Sequence, residues 1–178
     1  TGTKVTSRLV GSAWPQHMNR TVAETMYANI QRVGMPNWSE ADQAFARLVQ
    51  RNMKVREQGL PTTVGSLGGP TPAASNMGGG SDDIGDVSWS VPTVTLRYAA
   101  NIPGMTGHHW SSAIAEATPV AHKGVTTGAK VEAMTALDLL LKPDLVQQAW
   151  DYFRTVQGKQ TSYQPFPRDA DKPAIWLN

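Results

Sequence analysis

A chain of 178 residues, 40% of them hydrophobic, can bury a core of useful size and is too apolar to be disordered. Sixteen basic residues against 14 acidic ones leave a net charge of +2, too balanced for a nucleic-acid partner despite a pI near 9.0. The absence of cysteine excludes disulfides, thiolate metal sites and cysteine nucleophiles, and no apolar run approaches the roughly 20 residues a membrane helix needs. Thr1-Gly2-Thr3-Lys4 carries no apolar stretch of the signal-peptide kind and reads as a start made by cleavage or processing. No membrane association is expected, and the location is expected to be cytoplasmic, although the lack of cysteine does not fix the compartment.

Residues 3–10 alternate, with Lys4, Thr6 and Arg8 on one face and Val5, Ser7 and Leu9 on the other, which predicts a half-buried strand ended by Gly11. Val22, Met26, Ile30 and Val33 recur at helical spacing and predict a helix over 21–33, capped by Asn19 or Thr21 and stopped by Gly34. Ser39 starts a second helix, with Asp42 in its first turn and a stripe of Phe45, Leu48, Val49 and Met53. Residues 59–81 are rich in Gly, Pro, Thr and Ser and read as a loop of functional length. Residues 93–99 alternate again and predict a strand. A long helix is expected over 125–141, with Val125, Ala129, Met134, Leu137, Leu140 and Leu141 on its apolar side. Pro143 opens a last helix carrying Leu145, Ala149, Trp150, Phe153 and Val156. Phe166, Ile175 and Trp176 are expected to pin an irregular tail. The class is α/β with more helix than strand.

Three places carry chemistry. A glycine run, Gly78–Gly80, leads into Ser81, Asp82, Asp83 and Asp86. These acids could bind a metal, orient a histidine or hold a substrate amine; equally, Ser81 or Asp82 could cap a short helix through Val87. His108-His109 follows the second strand in a Pro-Gly turn, and imidazole is the commonest nitrogen ligand for zinc. Neighbouring side chains on an extended backbone point apart, so one of the two would ligate. His122-Lys123-Gly124 reads either as a turn before the long helix or as a histidine reaching substrate. His17 and the tryptophans at 14, 38 and 150 read as packing and surface residues. No His-x-Asp pair and no Glu-Glu pair occurs anywhere.

The run Gly-Ser-Asp-Asp-Ile-Gly-Asp-Val-Ser-Trp-Ser-Val-Pro-Thr (80–93) resembles the metallo-aminoacylase and carboxypeptidase superfamily, and within it the p-aminobenzoyl-glutamate hydrolase branch. Gly-His-His-Trp (107–110), Ala-His-Lys-Gly (121–124) and Pro-Asn-Trp-Ser-Glu-Ala-Asp-Gln-Ala-Phe-Ala (36–46) agree with that branch in order.

The resemblance implies the C-terminal half of a three-layer α/β/α zinc-peptidase-like catalytic domain. Residues 1–18 would be the last strand of a lid or dimerisation domain and its hinge, and residues 19–178 the returning half of the catalytic domain. It implies His108 as the last metal ligand, with His109 in the position usually held by Ser or Thr. It implies Ser81, Asp83 and His122 as substrate-binding residues. Two divalent ions, zinc or manganese, would activate water against the amide of an acyl-amino acid. The other ligands and the glutamate base would come from an upstream segment or companion chain, in a homo- or hetero-oligomer, so this chain alone would be inactive. Two other readings stay open: a non-catalytic interaction subunit, and a processed hydrolase whose Thr1 is an N-terminal nucleophile.

Overall fold

The computed structural model describes residues 2–7, 9–69, 82–159, 161–168 and 170–171. Thr1, the Gly78–Gly80 run, Ser81, Ile175 and Trp176 lie outside them. The described elements run α1 (Arg20–Val33), α2 (Glu40–Asn52), α3 (Ile84–Ser88), α4 (Trp110–Ala113), α5 (Pro119–Leu141) and α6 (Pro143–Tyr152), which continues into a π-helical turn, Phe153–Gln157.

Local chemistry explains where the helices begin. The Asn19 side chain accepts from the Val22 amide at 3.2 Å and caps α1. Ser39 and Asp42 form a reciprocal capping box on α2. Gly34, at φ +73°, closes α1 with its amide on the Ile30 carbonyl. The longest helix starts at Pro119 rather than at 125, with Thr118 as its N-cap. Gly124 and Gly128 weaken the helical signal there, yet Pro119 suits the first helical position because its missing N–H would have no partner. His122-Lys123-Gly124 therefore lies within the helix, not in a turn before it.

The core joins α2 to the start of α5. Ala46, Val49, Leu60, Ile102, Ala115 and Val120 are buried together, with Trp38, Phe45, Met53, Met105 and Ile114 against them. Two glutamines of α2 satisfy the loop that crosses it. Gln50 bonds both the amide and the carbonyl of Gly59 and reaches the Pro103 carbonyl; Gln43 does the same for Leu60. A second seam runs between α1 and α5, where Val22, Met26 and Val131 are buried. Asn29 there donates to Thr135 and Asp138.

The expected apolar stripes need correction. Leu48 is exposed while Ala46 and Gln50 are buried. On α5 the buried face is Val120, Ala121, Gly124, Gly128, Val131 and Thr135, whereas Val125, Leu137, Leu140 and Leu141 are exposed. Size decides this. The segment 96–100 crosses so close to α5 that a Cβ on Gly124 would lie 2.2 Å from the Ala99 carbonyl oxygen. Only a face of small residues admits that approach.

Neither expected strand is a paired strand among the described residues. Residues 2–7 and 9–10 are exposed. Residues 93–98 have no regular secondary structure and Ala99 lies in a bend; the segment is mostly half-buried, and the Thr93 carbonyl accepts from the Asn19 amide at 2.7 Å. Alternation sets up an extended backbone, but a strand also needs a neighbouring backbone to pair with.

Candidate functional site

The acidic run is largely absorbed by structure. Asp82 accepts from the Ile84 amide at 3.1 Å and from Gln16 at 3.3 Å, while the N-cap position of α3 falls on Asp83, not on the expected Ser81 or Asp82. Asp86 accepts from the Trp14 amide through Oδ2 and from the Tyr163 hydroxyl through Oδ1. Ser88 donates to the Gly85 carbonyl and accepts from the His17 amide. Trp89 donates through Nε1 to the Pro15 carbonyl. Gly85 lies under this crossing: a Cβ there would stand 1.7 Å from the Trp14 carbonyl oxygen. The run 82–89 is thus a clamp on residues 14–17. Asp83 occupies the N-cap position of α3, makes no side-chain cap bond and is exposed.

An aromatic cluster continues the clamp. Trp14 meets Trp89 edge-on at 5.7 Å, meets Tyr163 at 5.4 Å and stacks on Phe166 at 5.4 Å. Its Nε1 donates to the Gln164 carbonyl, so the tail is held where Phe166 was expected to hold it. The Asp86 carboxylate beside Tyr163 raises that phenol's pKa, first through the hydrogen bond. The His17 ring meets Trp89 at 5.2 Å, and its buried Nδ1 has no hydrogen-bond partner. Burial pushes its pKa below the ordinary histidine value. A sequence pattern gives no signal for such a ring.

The two adjacent histidines do different things. His108 sits at φ +54°, in the left-handed region, so the pair does not share the extended backbone expected of it. Its side chain is exposed and forms no hydrogen bond among the described residues. His109 is extended and caps α4: its Nδ1 accepts from the Ser111 amide at 3.3 Å and lies 2.8 Å from the Ser111 hydroxyl. An N–H can only donate, so Nδ1 carries a lone pair and the ring is held in one tautomer. His109 thereby performs the capping task that Ser or Thr commonly performs.

His122 is exposed in the first turn of α5. Lys123 is partly buried and pairs with Asp42 at 2.5 Å, tying α5 to the capping box of α2. That partner holds the Asp42 carboxyl below its ordinary pKa. Asp83, His108 and His122 lie on three separate elements, with no hydrogen bond or ion pair joining them among the described residues. There, no group of three or more His, Asp or Glu side chains could hold a metal ion. No described helix is long and apolar enough to cross a membrane.

Two clefts flank α1. One, of about 490 Å³, opens beside Gln16, His17, Arg20 and Leu67. The other, of about 530 Å³, runs between Met26, Tyr27 and Ile30 of α1, the loop 63–68 and the segment 94–99.

No family model matches this chain, and no solved structure matches it. The chain is similar to one of the subunits of the p-aminobenzoyl-glutamate hydrolase of Escherichia coli (strain K12), at 27% identity over 173 residues. That similarity covers 85% of this chain, and the chain spans 36% of the length of that relative.

Proposed function

We propose that this chain is the C-terminal portion of a metal-dependent amidohydrolase that cleaves an acyl-amino acid, such as an aroyl-glutamate. The similarity to a component of a hydrolase along 85% of the chain carries the reading. The relative is itself one subunit of its enzyme, and the chain spans only part of it. Both facts accord with a companion chain or segment that supplies what is missing here. The α/β/α catalytic layer belongs to the same proposal, with 93–99 as one of its strands.

The residues present fit a single share of a metal centre. His108 is exposed, free of hydrogen bonds among the described residues and held by a left-handed turn, so its imidazole can ligate without breaking a contact. His109 cannot do so through Nδ1 without uncapping α4. One histidine does not hold a catalytic ion, so the other ligands come from the companion. Two divalent ions, when bound, would supply Lewis acidity for attack of water on the amide carbonyl. Asp83 and His122, both exposed, can hydrogen-bond a polar substrate, and Ser81 belongs to the same expected pocket.

The assay is metal content and turnover of the complete assembly. His108→Ala should lower both, whereas His109→Ser should keep both, because serine caps a helix equally well. Unchanged metal and turnover in His108→Ala would refute the assignment.

A further inference from the structure

We infer that the C-terminal segment 163–166 is a strap that opens and closes on Trp14, and so sets how firmly the N-terminal arm before Trp14 is oriented on the body of the molecule. This goes beyond the functional reading above and does not depend on it, because it concerns a moving part and not the chemistry.

The chain is held unevenly where the arm enters. Residues 9–13 are exposed and make no hydrogen bond, ion pair or ring contact among the described residues. From Trp14 onward the chain is gripped in two tiers. The inner tier holds residues 15–19 through buried partners. Trp89 donates through Nε1 to the Pro15 carbonyl at 2.8 Å. The His17 amide donates to Ser88 at 3.0 Å, and its carbonyl accepts from Gln157 at 2.8 Å. The Asn19 side chain donates to the Ala149 carbonyl and to Gln157. Trp89, Ser88, Gln157 and Asn19 are all buried. Opening this tier would strip buried polar groups of their partners, which is costly.

The outer tier holds Trp14, and most of it comes from the tail. Trp14 Nε1 donates to the Gln164 carbonyl at 2.9 Å. Its ring stacks on Phe166 and meets Tyr163 edge-on, each at 5.4 Å. Tyr163 donates to Asp86 Oδ1 at 2.8 Å, while Asp86 Oδ2 accepts from the Trp14 amide, so one carboxylate couples strap and arm. Gln164 and Phe166 are exposed, and Tyr163 is half-buried. Water can take over these hydrogen bonds as the strap lifts, and the segment has no helix or strand to break. With the strap open, Trp14 keeps its amide bond to Asp86 and its edge contact with Trp89. Trp14 is the first residue of the body, so the freedom of its ring and backbone sets the range of directions open to the arm. The expected hinge within residues 1–18 is then stiff with the strap closed and loose with it open.

NMR of the full chain tests this with Phe166→Ala, which removes the stack, and Tyr163→Phe, which removes only the hydroxyl that reaches Asp86. In each, the Trp14 indole N–H should exchange about 10-fold faster, the loss expected from one ring contact or one hydrogen bond. The heteronuclear NOE of Ser12 and Ala13 should fall. The amides of His17 and Asn19, bonded to Ser88 and the Thr93 carbonyl, should keep their parent rates. Phe166→Trp, which keeps a stacking ring, should behave as the parent. Unchanged Trp14 exchange in both Phe166→Ala and Tyr163→Phe would overturn the inference, because the tail would not be what holds the indole. Equal acceleration at Trp14, His17 and Asn19 would also overturn it, because the two tiers would open as one unit. So would faster Trp14 exchange with unchanged order at Ser12 and Ala13, because the strap would then hold a ring and not the arm. Tyr163→Phe loses a single oxygen atom, so it decides the matter even if Phe166→Ala does not fold.

Discussion

Replacing Gly124 with alanine sets helix propensity against packing, and the two disagree in sign. Gly124 lies inside α5, where propensity alone makes alanine more stable by about 1 kcal/mol. Packing opposes it. The new Cβ would lie 2.2 Å from the Ala99 carbonyl oxygen and 2.5 Å from the Ala100 Cα. Both are backbone atoms, so no side chain can swing aside, and α5 must retreat by about 1 Å to restore van der Waals contact. Overpacking of this kind costs about 1–3 kcal/mol. With obstruction by backbone the upper end applies, leaving a net loss of about 2 kcal/mol. At Gly128 a Cβ would stand 3.4 Å from its nearest neighbour, the Cβ of Tyr98. Gly128→Ala should therefore be neutral or stabilise by up to about 1 kcal/mol. Urea unfolding followed by circular dichroism measures both, with the slope checked for a constant denatured state. A Gly124→Ala variant as stable as the parent would refute the close crossing, and with it the account of why α5 buries its small face.

Asp86→Asn should lower the Tyr163 pKa toward the ordinary phenol value, because ionisation of Tyr163 would no longer face a carboxylate; ultraviolet titration against a Tyr163→Phe control reads this. Lys123→Ala should cost about 1 kcal/mol, since the buried Asp42 keeps only its bonds to Ser39. The Asp42 pKa is lowered in the fold, so its contribution is present above the unfolded carboxyl value and lost as pH falls through the folded one. Chemical unfolding across acidic pH should show a shallower acid-side loss in Lys123→Ala than in the parent. His17 has a lowered pKa, so below the ordinary value of 6.5 the unfolded chain binds its proton more readily and stability falls. His17→Phe should flatten that part of the stability profile between neutral and mildly acidic pH, and a profile identical to the parent's would count against the buried, unpartnered Nδ1.

Much of the local structure was legible in the amino acids. Asn19, Ser39 with Asp42, and Gly34 announce helix ends because a cap is a bond between neighbours in sequence. The spacing of Val22 and Met26 marks the buried side of α1 for the same reason. What failed was set by contacts between distant segments. The α5 stripe of large residues looks like a core face, but the segment at 96–100 comes too close for any side chain at Gly124 and leaves room only for a small residue at Gly128. The expected strand at 93–99 has the right alternation, yet pairing belongs to two backbones and only one is present among the described residues.

The candidate site divides in the same way. Sequence marked His108, His109, the aspartates and His122 as residues able to do chemistry, because ligand and acid groups are properties of side chains. Their assignments depended on who approaches them in space. Asp86 holds Trp14 and Tyr163, His109 caps α4, and Lys123 bridges to Asp42 across 81 positions of sequence. A cap or a helical period is written within one turn of chain. A clamp such as 82–89 on 14–17 needs the chain to return, and only packing brings those residues together.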